Sequence, residues 1–275
     1  MNRAIIAKLS RLHIITPGGI YHLAKSFVQD GISLMALLRF AAHYYPNRYA
    51  LVSEGKQLTY KEVYESANQL AKVLFSDYGL KAGMCVGLLC RSHMMGALLL
   101  PALSRLGANV KLLNTGMAQS KLNDLINKNK FDLLIYDQEL KNALIPVDLP
   151  CATVDTEDLY HKLSNKDTSH DLHIPHIKRG GEISVFTGGT SGKYKEAPRR
   201  MSVFQFLPPF FALLEKLRID EYDSVFLPLP VYHGFGLATL IISLLMGKKV
   251  CLMKHFDADV VEFFEFIVRN RIFVL

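Results

Sequence analysis

The run Thr187-Gly188-Gly189-Thr190-Ser191-Gly192-Lys193-Tyr194-Lys195 sets three hydroxyls, three glycines and two lysines directly after the apolar Ile183–Phe186. Glycines let a backbone fold tightly with its N–H groups turned inward. The hydroxyls add neutral donors and the lysines add charge. At the carboxyl end of a strand, that combination is a cradle for a polyphosphate. Each hydrogen bond to a charged oxygen contributes about 1.5–3 kcal/mol, so several would hold a nucleotide. Other phosphate and nucleophile motifs fail on spacing. A Walker A loop needs four residues between its glycines and Ser or Thr after Gly-Lys, whereas Gly188 and Gly192 enclose three and Tyr194 follows Lys193. A nucleophile elbow would need glycine where Lys193 stands. A flexible Gly/Ser surface loop accounts for the glycines, but for neither the strand before them nor the lysines after.

A second group is Leu227-Pro228-Leu229-Pro230-Val231-Tyr232-His233-Gly234-Phe235-Gly236, an apolar strand running into a turn that carries one histidine. Taken alone, such a histidine is more often structural than functional. His170, His173 and His176 recur every third residue, but Pro175 breaks the helix that would align them on a metal. Glu262 and Glu265 read as the polar face of an amphipathic helix, and Phe204, Phe206, Phe210 and Phe211 as core. The basic loop is too short and too glycine-rich to read nucleic acid.

Elements that could position these groups follow from periodicity. Ala50–Ser53 and Gln57–Tyr60 flank a Glu54-Gly55 turn and predict a hairpin. Thr59 and Glu62 have capping-box spacing before a helical apolar stripe. Apolar runs at Met84–Cys90, Asn109–Leu113, Phe131–Tyr136, Ile183–Phe186, Ser224–Pro228 and Lys249–Met253 alternate with helical segments. Continuous apolar strands alternating with helices predict an α/β fold, a mostly parallel sheet covered on both faces. Residues 155–182 are polar and His-rich and read as a surface excursion, and residues 187–199 as loop. Ile272–Leu275 looks like one more sheet strand, which suggests a continuation of the parent fold.

The whole chain has 275 residues, half of them apolar, and a net charge of +7. Such a composition excludes disorder and low complexity. Lys178–Arg200 concentrates a net +4. Four cysteines without a Cys-x-x-Cys pair read as thiols in a reducing, cytoplasmic setting. Ile5, Leu9 and Leu12 repeat at helical spacing opposite Arg3, Lys8 and Arg11, a basic helix that either docks on its own domain or touches a membrane peripherally. Residues 224–247 lack charge, but Pro228, Pro230 and the glycines interrupt them, so a strand and a short buried helix are expected rather than a membrane span.

Thr187–Lys195 resembles the phosphate-binding signature of the adenylate-forming (AMP-binding) enzymes, and its Thr-Gly-Gly-Thr opening resembles the fatty acyl-CoA synthetase branch. Tyr194 and Glu196 depart from the residues usual there. The Leu227–Gly236 segment resembles the family's next motif, a strand end with a histidine near the acyl pocket. The likeness covers most of residues 30–275, leaving 1–45 as an N-terminal helical segment and 46–275 as part of the family's large N-terminal domain. The family's later motifs and small C-terminal domain are not found. The resemblance implies a two-step ligase that takes ATP, Mg2+, a carboxylic (fatty) acid and coenzyme A. By that likeness Thr187, Gly188, Gly189, Thr190, Ser191, Gly192 and Lys195 hold the phosphates, with Thr190 on the magnesium side, and Lys195 and His233 are the catalytic candidates. A non-catalytic nucleotide- or acyl-binding module is the alternative. A serine hydrolase built on Ser191 and His233 is disfavoured by Lys193.

Overall fold

A computed structural model describes residues 3–144, 151–164, 172–187, 195–197, 210–211, 214–216, 218–255, 260–270 and 272. Three helices open the chain: α1 (Arg3–Arg11), α2 (Pro17–Asp30) and α3 (Leu34–Tyr44). Strands β1 (Tyr49–Ser53) and β2 (Lys56–Thr59) form the expected hairpin. Its turn residues Glu54 and Gly55 both have positive φ, as a two-residue turn between twisted strands demands. Helix α4 (Tyr60–Tyr78) starts with the expected capping box: Thr59 Oγ1 accepts from the Glu62 N–H, and the Glu62 carboxylate accepts from the Thr59 N–H at 2.7 Å.

Alternating units follow: β3 (Cys85–Leu89), α5 (Met94–Leu106), β4 (Asn109–Leu112), α6 (Gln119–Asn129), β5 (Leu133–Tyr136), a 3-10 turn (Gln138–Leu144), β6 (Ala152–Asp155), α7 (Thr156–Ser164), β7 (Ile183–Thr187) and β8 (Lys195–Ala197). Strand β9 (Ser224–Phe226), α8 (Gly234–Leu245), β10 (Lys249–Leu252) and α9 (Val260–Asn270) complete the series. The strands assort into two sheets, β6-β5-β3-β4-β7-β8 and β2-β1-β10-β9. Both are parallel except at β8 and β2, the antiparallel edges.

Strand alternation sorts the core into layers. Val86, Leu88, Leu133 and Ile135 face a central helical layer, which buries Leu51, Val250 and Leu252 of the smaller sheet on its other side. The opposite positions Leu89, Leu134 and Tyr136 pack under α6. Phe263 and Phe266 of α9 cover the outer face of the smaller sheet through Val52, Phe226 and Cys251. Helix α8, charge-free in sequence, is buried from Gly236 to Ser243 inside this sandwich. Among the described residues no helix is long and apolar enough to cross a membrane. All four cysteines are free, Cys90 and Cys251 being buried.

Two regions differ from expectation. Residues 155–182 are not simply an excursion: Asp155 ends an edge strand, α7 packs on α4, and Ile174 and Ile177 are buried. The alternation in β6 is too short, and its edge too exposed, to mark a strand by periodicity. Residues 195–197, read as loop, pair with β7 as an edge strand. Leu9 of α1 and Leu12 just after it are buried in the core, and Lys8 pairs with Asp220 at 2.7 Å.

Candidate functional site

Parallel strands deliver their carboxyl ends to one edge, where the next segments diverge to opposite faces of the sheet. In the larger sheet β3 turns towards the central layer through α5, whereas β4 and β5 turn outward to α6 and the 3-10 turn. In the smaller sheet β9 and β10 end at the same edge of the molecule. The Val231 N–H donates to Ser92 Oγ at 3.1 Å, and Thr115 Oγ1 lies 3.3 Å from Tyr232 Oη. The carboxyl edges of the two sheets are thereby tied into one floor.

The hairpin β7–β8 enters this floor beside β4. Its last rung pairs Thr187 with Lys195, the first and last residues of the signature segment, at the carboxyl end of β7. Gly188, Gly189, Thr190, Ser191 and Gly192 lie outside the described residues, as does His170 of the histidine series. Leu112 pairs with Val185, placing the Thr115 turn next to Thr187 in the neighbouring strand. Thr115 in turn meets Tyr232, which precedes His233. The two segments singled out in sequence therefore flank one turn, although more than thirty residues separate them.

His233 is the N-cap residue of α8. Its N–H donates to Pro230 O at 2.9 Å, its carbonyl accepts from the Leu237 N–H, and its exposed ring leans on Tyr232 with centroids 4.8 Å apart. The ring does not cap the helix, which leaves the first-turn N–H groups as anion donors. Gly236 permits the close approach of the incoming turn: a Cβ there would stand 2.5 Å from Pro230 O and 2.7 Å from Leu229 O. Leu229 and Phe235 are exposed beside the ring. Uncapped helix N–H groups and exposed apolar side chains therefore meet at this turn.

Sequence reading missed a second cluster at this edge. Buried Asp137, just after β5, takes His93 Nε2 on Oδ1 at 2.7 Å, Thr156 Oγ1 on Oδ1 at 3.0 Å, and the Arg91 N–H on Oδ2 at 2.8 Å. Burial works to raise its pKa, but these hydrogen bonds outweigh burial and hold it below the usual carboxylate range. Glu139 receives Arg91 at 2.6 Å, Lys254 at 3.1 Å and His255 at 3.3 Å, so it links β3, β5 and β10. Its pKa is also lowered, the Lys254 and Arg91 bonds overcoming burial. Cys90, His93 and Asp137 lie close enough to suggest metal ligands. Burial and the Asp137 charge push the Cys90 thiol up, which keeps it protonated, and hydrogen bonds already occupy both Asp137 oxygens. The cluster is a brace. Only the placement of these residues just past two apolar strands could have pointed to it. His176, from the histidine series, donates to Val28 O at 2.8 Å, and His173 is exposed.

The model of the AMP-binding enzyme family matches residues 38–275. The chain belongs to that family. Among curated relatives, a 2-succinylbenzoate–CoA ligase of Listeria innocua is 27% identical over 220 residues, 78% of this chain and 43% of its own length. A medium/long-chain-fatty-acid–CoA/3-oxocholest-4-en-26-oate–CoA ligase of Mycobacterium marinum is 25% identical over 261 residues, 83% of this chain and 47% of its own. The chain thus spans less than half the length of these relatives. Among solved structures, the inhibitor-bound N-terminal domain of FACL13 from Mycobacterium tuberculosis aligns with TM-score 0.74 at 23% identity, covering 87% of this chain and 61% of that one. The o-succinylbenzoate coenzyme A synthetase of Bacillus subtilis, in complex with ATP and magnesium ion, aligns with TM-score 0.68 at 20% identity, covering 86% and 61%. These likenesses establish the fold of an adenylate-forming N-terminal domain.

Proposed function

We propose that the chain carries the nucleotide- and acid-binding half of an ATP-dependent acid–thiol ligase acting on a fatty acid. The observation that carries this reading is the junction of Thr187–Lys195 with the Tyr232–His233 turn across Thr115. In the reaction, a carboxylate oxygen bonds to the α-phosphorus of ATP and the bond to pyrophosphate breaks. The thiol of coenzyme A then attacks the acyl carbon and AMP leaves. Two anions must meet while charge moves onto pyrophosphate, so the barrier is largely positional and electrostatic.

Thr187, the Gly188–Gly192 backbone and Lys195 hold the phosphates, and Thr190 offers a hydroxyl to Mg2+. When bound, the ion would neutralise charge on the phosphate oxygens. His233 stands where the acid arrives and orients its carboxylate. Exposed Leu229 and Phe235 beside it favour an apolar chain over a small polar acid. The free thiols fit a reducing, cytoplasmic setting. Residues 1–45 act as an N-terminal helical segment and 46–275 as the nucleotide-binding body.

Pyrophosphate exchange with a panel of fatty acids and 2-succinylbenzoate tests turnover and acid choice, and calorimetry with ATP–magnesium tests binding separately. The reading expects tighter fatty-acid than 2-succinylbenzoate binding, together with ATP affinity that falls in Lys195→Ala. A preference for the aromatic diacid would overturn the substrate assignment, and ATP affinity unchanged in Lys195→Ala would overturn the phosphate site.

A further inference from the structure

We infer that α2, together with Lys178 and Arg179, forms a docking surface for an anionic lipid membrane. The inference is independent of the ligase reading, because its argument uses none of the residues assigned to that site.

Helix α2 is apolar on two opposite sides. Leu23 and Phe27 pack inward against the core. By the 3.6-residue period, Pro17, Ile20, Tyr21, Ala24 and Val28 share the outward face. Ile20, Tyr21 and Val28 are 57%, 62% and 73% exposed. An ordinary surface helix turns polar side chains outward; this one does the reverse. The stripe continues to Ile32 beyond the helix end. Tyr21 suits a bilayer interface, where an apolar ring meets a polar hydroxyl.

Charge identifies the occupant. Arg11 and Lys25 are exposed on α1 and α2. A parallel bridge between Ile32 and Arg179, with Ile32 N donating to Lys178 O, brings exposed Lys178 and Arg179 to the end of the stripe. No acidic residue precedes Asp30 in sequence, and Asp30 is turned inward onto Arg39 and Arg105. An apolar stripe rimmed by cations, with its nearest carboxylate neutralised, complements anionic headgroups above acyl chains. Fourteen residues of helix, about 21 Å long, lie along such a surface rather than across it. The membrane face thus centres one helix further on than the basic α1, where Leu9 packs inward and Ile6 alone among that helix's described large apolar residues is exposed.

Co-sedimentation of the full chain with phosphatidylcholine vesicles, with and without phosphatidylserine, tests this. Binding is expected only to the anionic vesicles and should weaken as salt rises. Lys178→Ala and Arg179→Ala should each weaken it about fivefold, the change corresponding to about 1 kcal/mol per basic residue at an anionic surface. The double variant Tyr21→Ser/Val28→Ser should weaken it about tenfold or more by withdrawing apolar area. Arg199→Ala/Arg200→Ala, in the other basic segment, should leave it unchanged, and thermal melts confirm that each variant folds. Absence of binding by the folded chain, or loss confined to Arg199→Ala/Arg200→Ala, would overturn the inference. So would self-association abolished by Tyr21→Ser/Val28→Ser, which would make the occupant a second copy.

Discussion

Two turns at the carboxyl edge share a backbone plan and differ in what their histidines do. Each leaves a parallel strand, caps a helix with a histidine that makes no side-chain cap bond, and places a glycine three residues on: His93 with Gly96 and His233 with Gly236. In each, the histidine N–H turns back to a carbonyl, Arg91 O at 3.1 Å and Pro230 O at 2.9 Å. Ser92 and Val231 join the two turns directly. His93 is buried against Asp137, whereas His233 is exposed beside Tyr232 and two exposed apolar side chains. One turn gives its histidine to brace strand ends of the larger sheet, and the other leaves its histidine exposed, where we propose it meets a ligand. A strand-end histidine therefore acquires its role from what the neighbouring strand presents to it.

The contrast predicts where damage should be structural. Asp137→Ala leaves His93, Thr156 and the Arg91 N–H without their acceptor, and should reduce stability by about 3 kcal/mol in a urea titration. Retention of wild-type stability would dismiss the brace. Gly236→Ala drives a Cβ onto two backbone oxygens, Pro230 O and Leu229 O, and should cost about 2 kcal/mol with displacement of the His233 turn. Gly96→Ala comes no nearer than 3.0 Å to a backbone atom, Arg91 O, and should cost less, so a reversed order would break the comparison. Of the histidines, His93→Ala should lower stability by about 1–3 kcal/mol, while His233→Ala should stay within about 0.5 kcal/mol yet weaken acyl binding.

Proton linkage sharpens the same contrast. Asp137 has a lowered folded pKa, so its contribution is fully present above the ordinary carboxylate value of about 4 and is lost as pH falls through the lower folded value. Urea midpoints should fall on acidification through that window in the wild type and less steeply in Asp137→Asn. Equal slopes would contradict the assignment.

Much of this architecture was legible in the sequence. Capping at Thr59–Glu62, the two-residue turn at Glu54-Gly55 and the continuous apolar strands marked the hairpin and the parallel sheets. The two motif segments were visible as well, because glycines, hydroxyls and a strand-end histidine carry local signatures. What remained hidden depends on pairing across distance. The His93–Asp137 brace joins residues 44 apart, and β8 is too short to show a period. The outward apolar face of α2 could not be told from a buried one until the packing of Leu23 and Phe27 defined which side faces in.

The central proposal is that Thr187–Lys195 holds the phosphates of ATP while His233 serves the acid beside them. Calorimetric titration of ATP–magnesium into the folded chain, its Lys195→Ala variant and its His233→Ala variant tests it most directly. The account predicts binding that falls about tenfold or more when the lysine is removed, by loss of a charge-assisted contact, and stays near wild type when the histidine is removed. Equal ATP affinity in the wild type and Lys195→Ala, or a loss confined to His233→Ala, would contradict it.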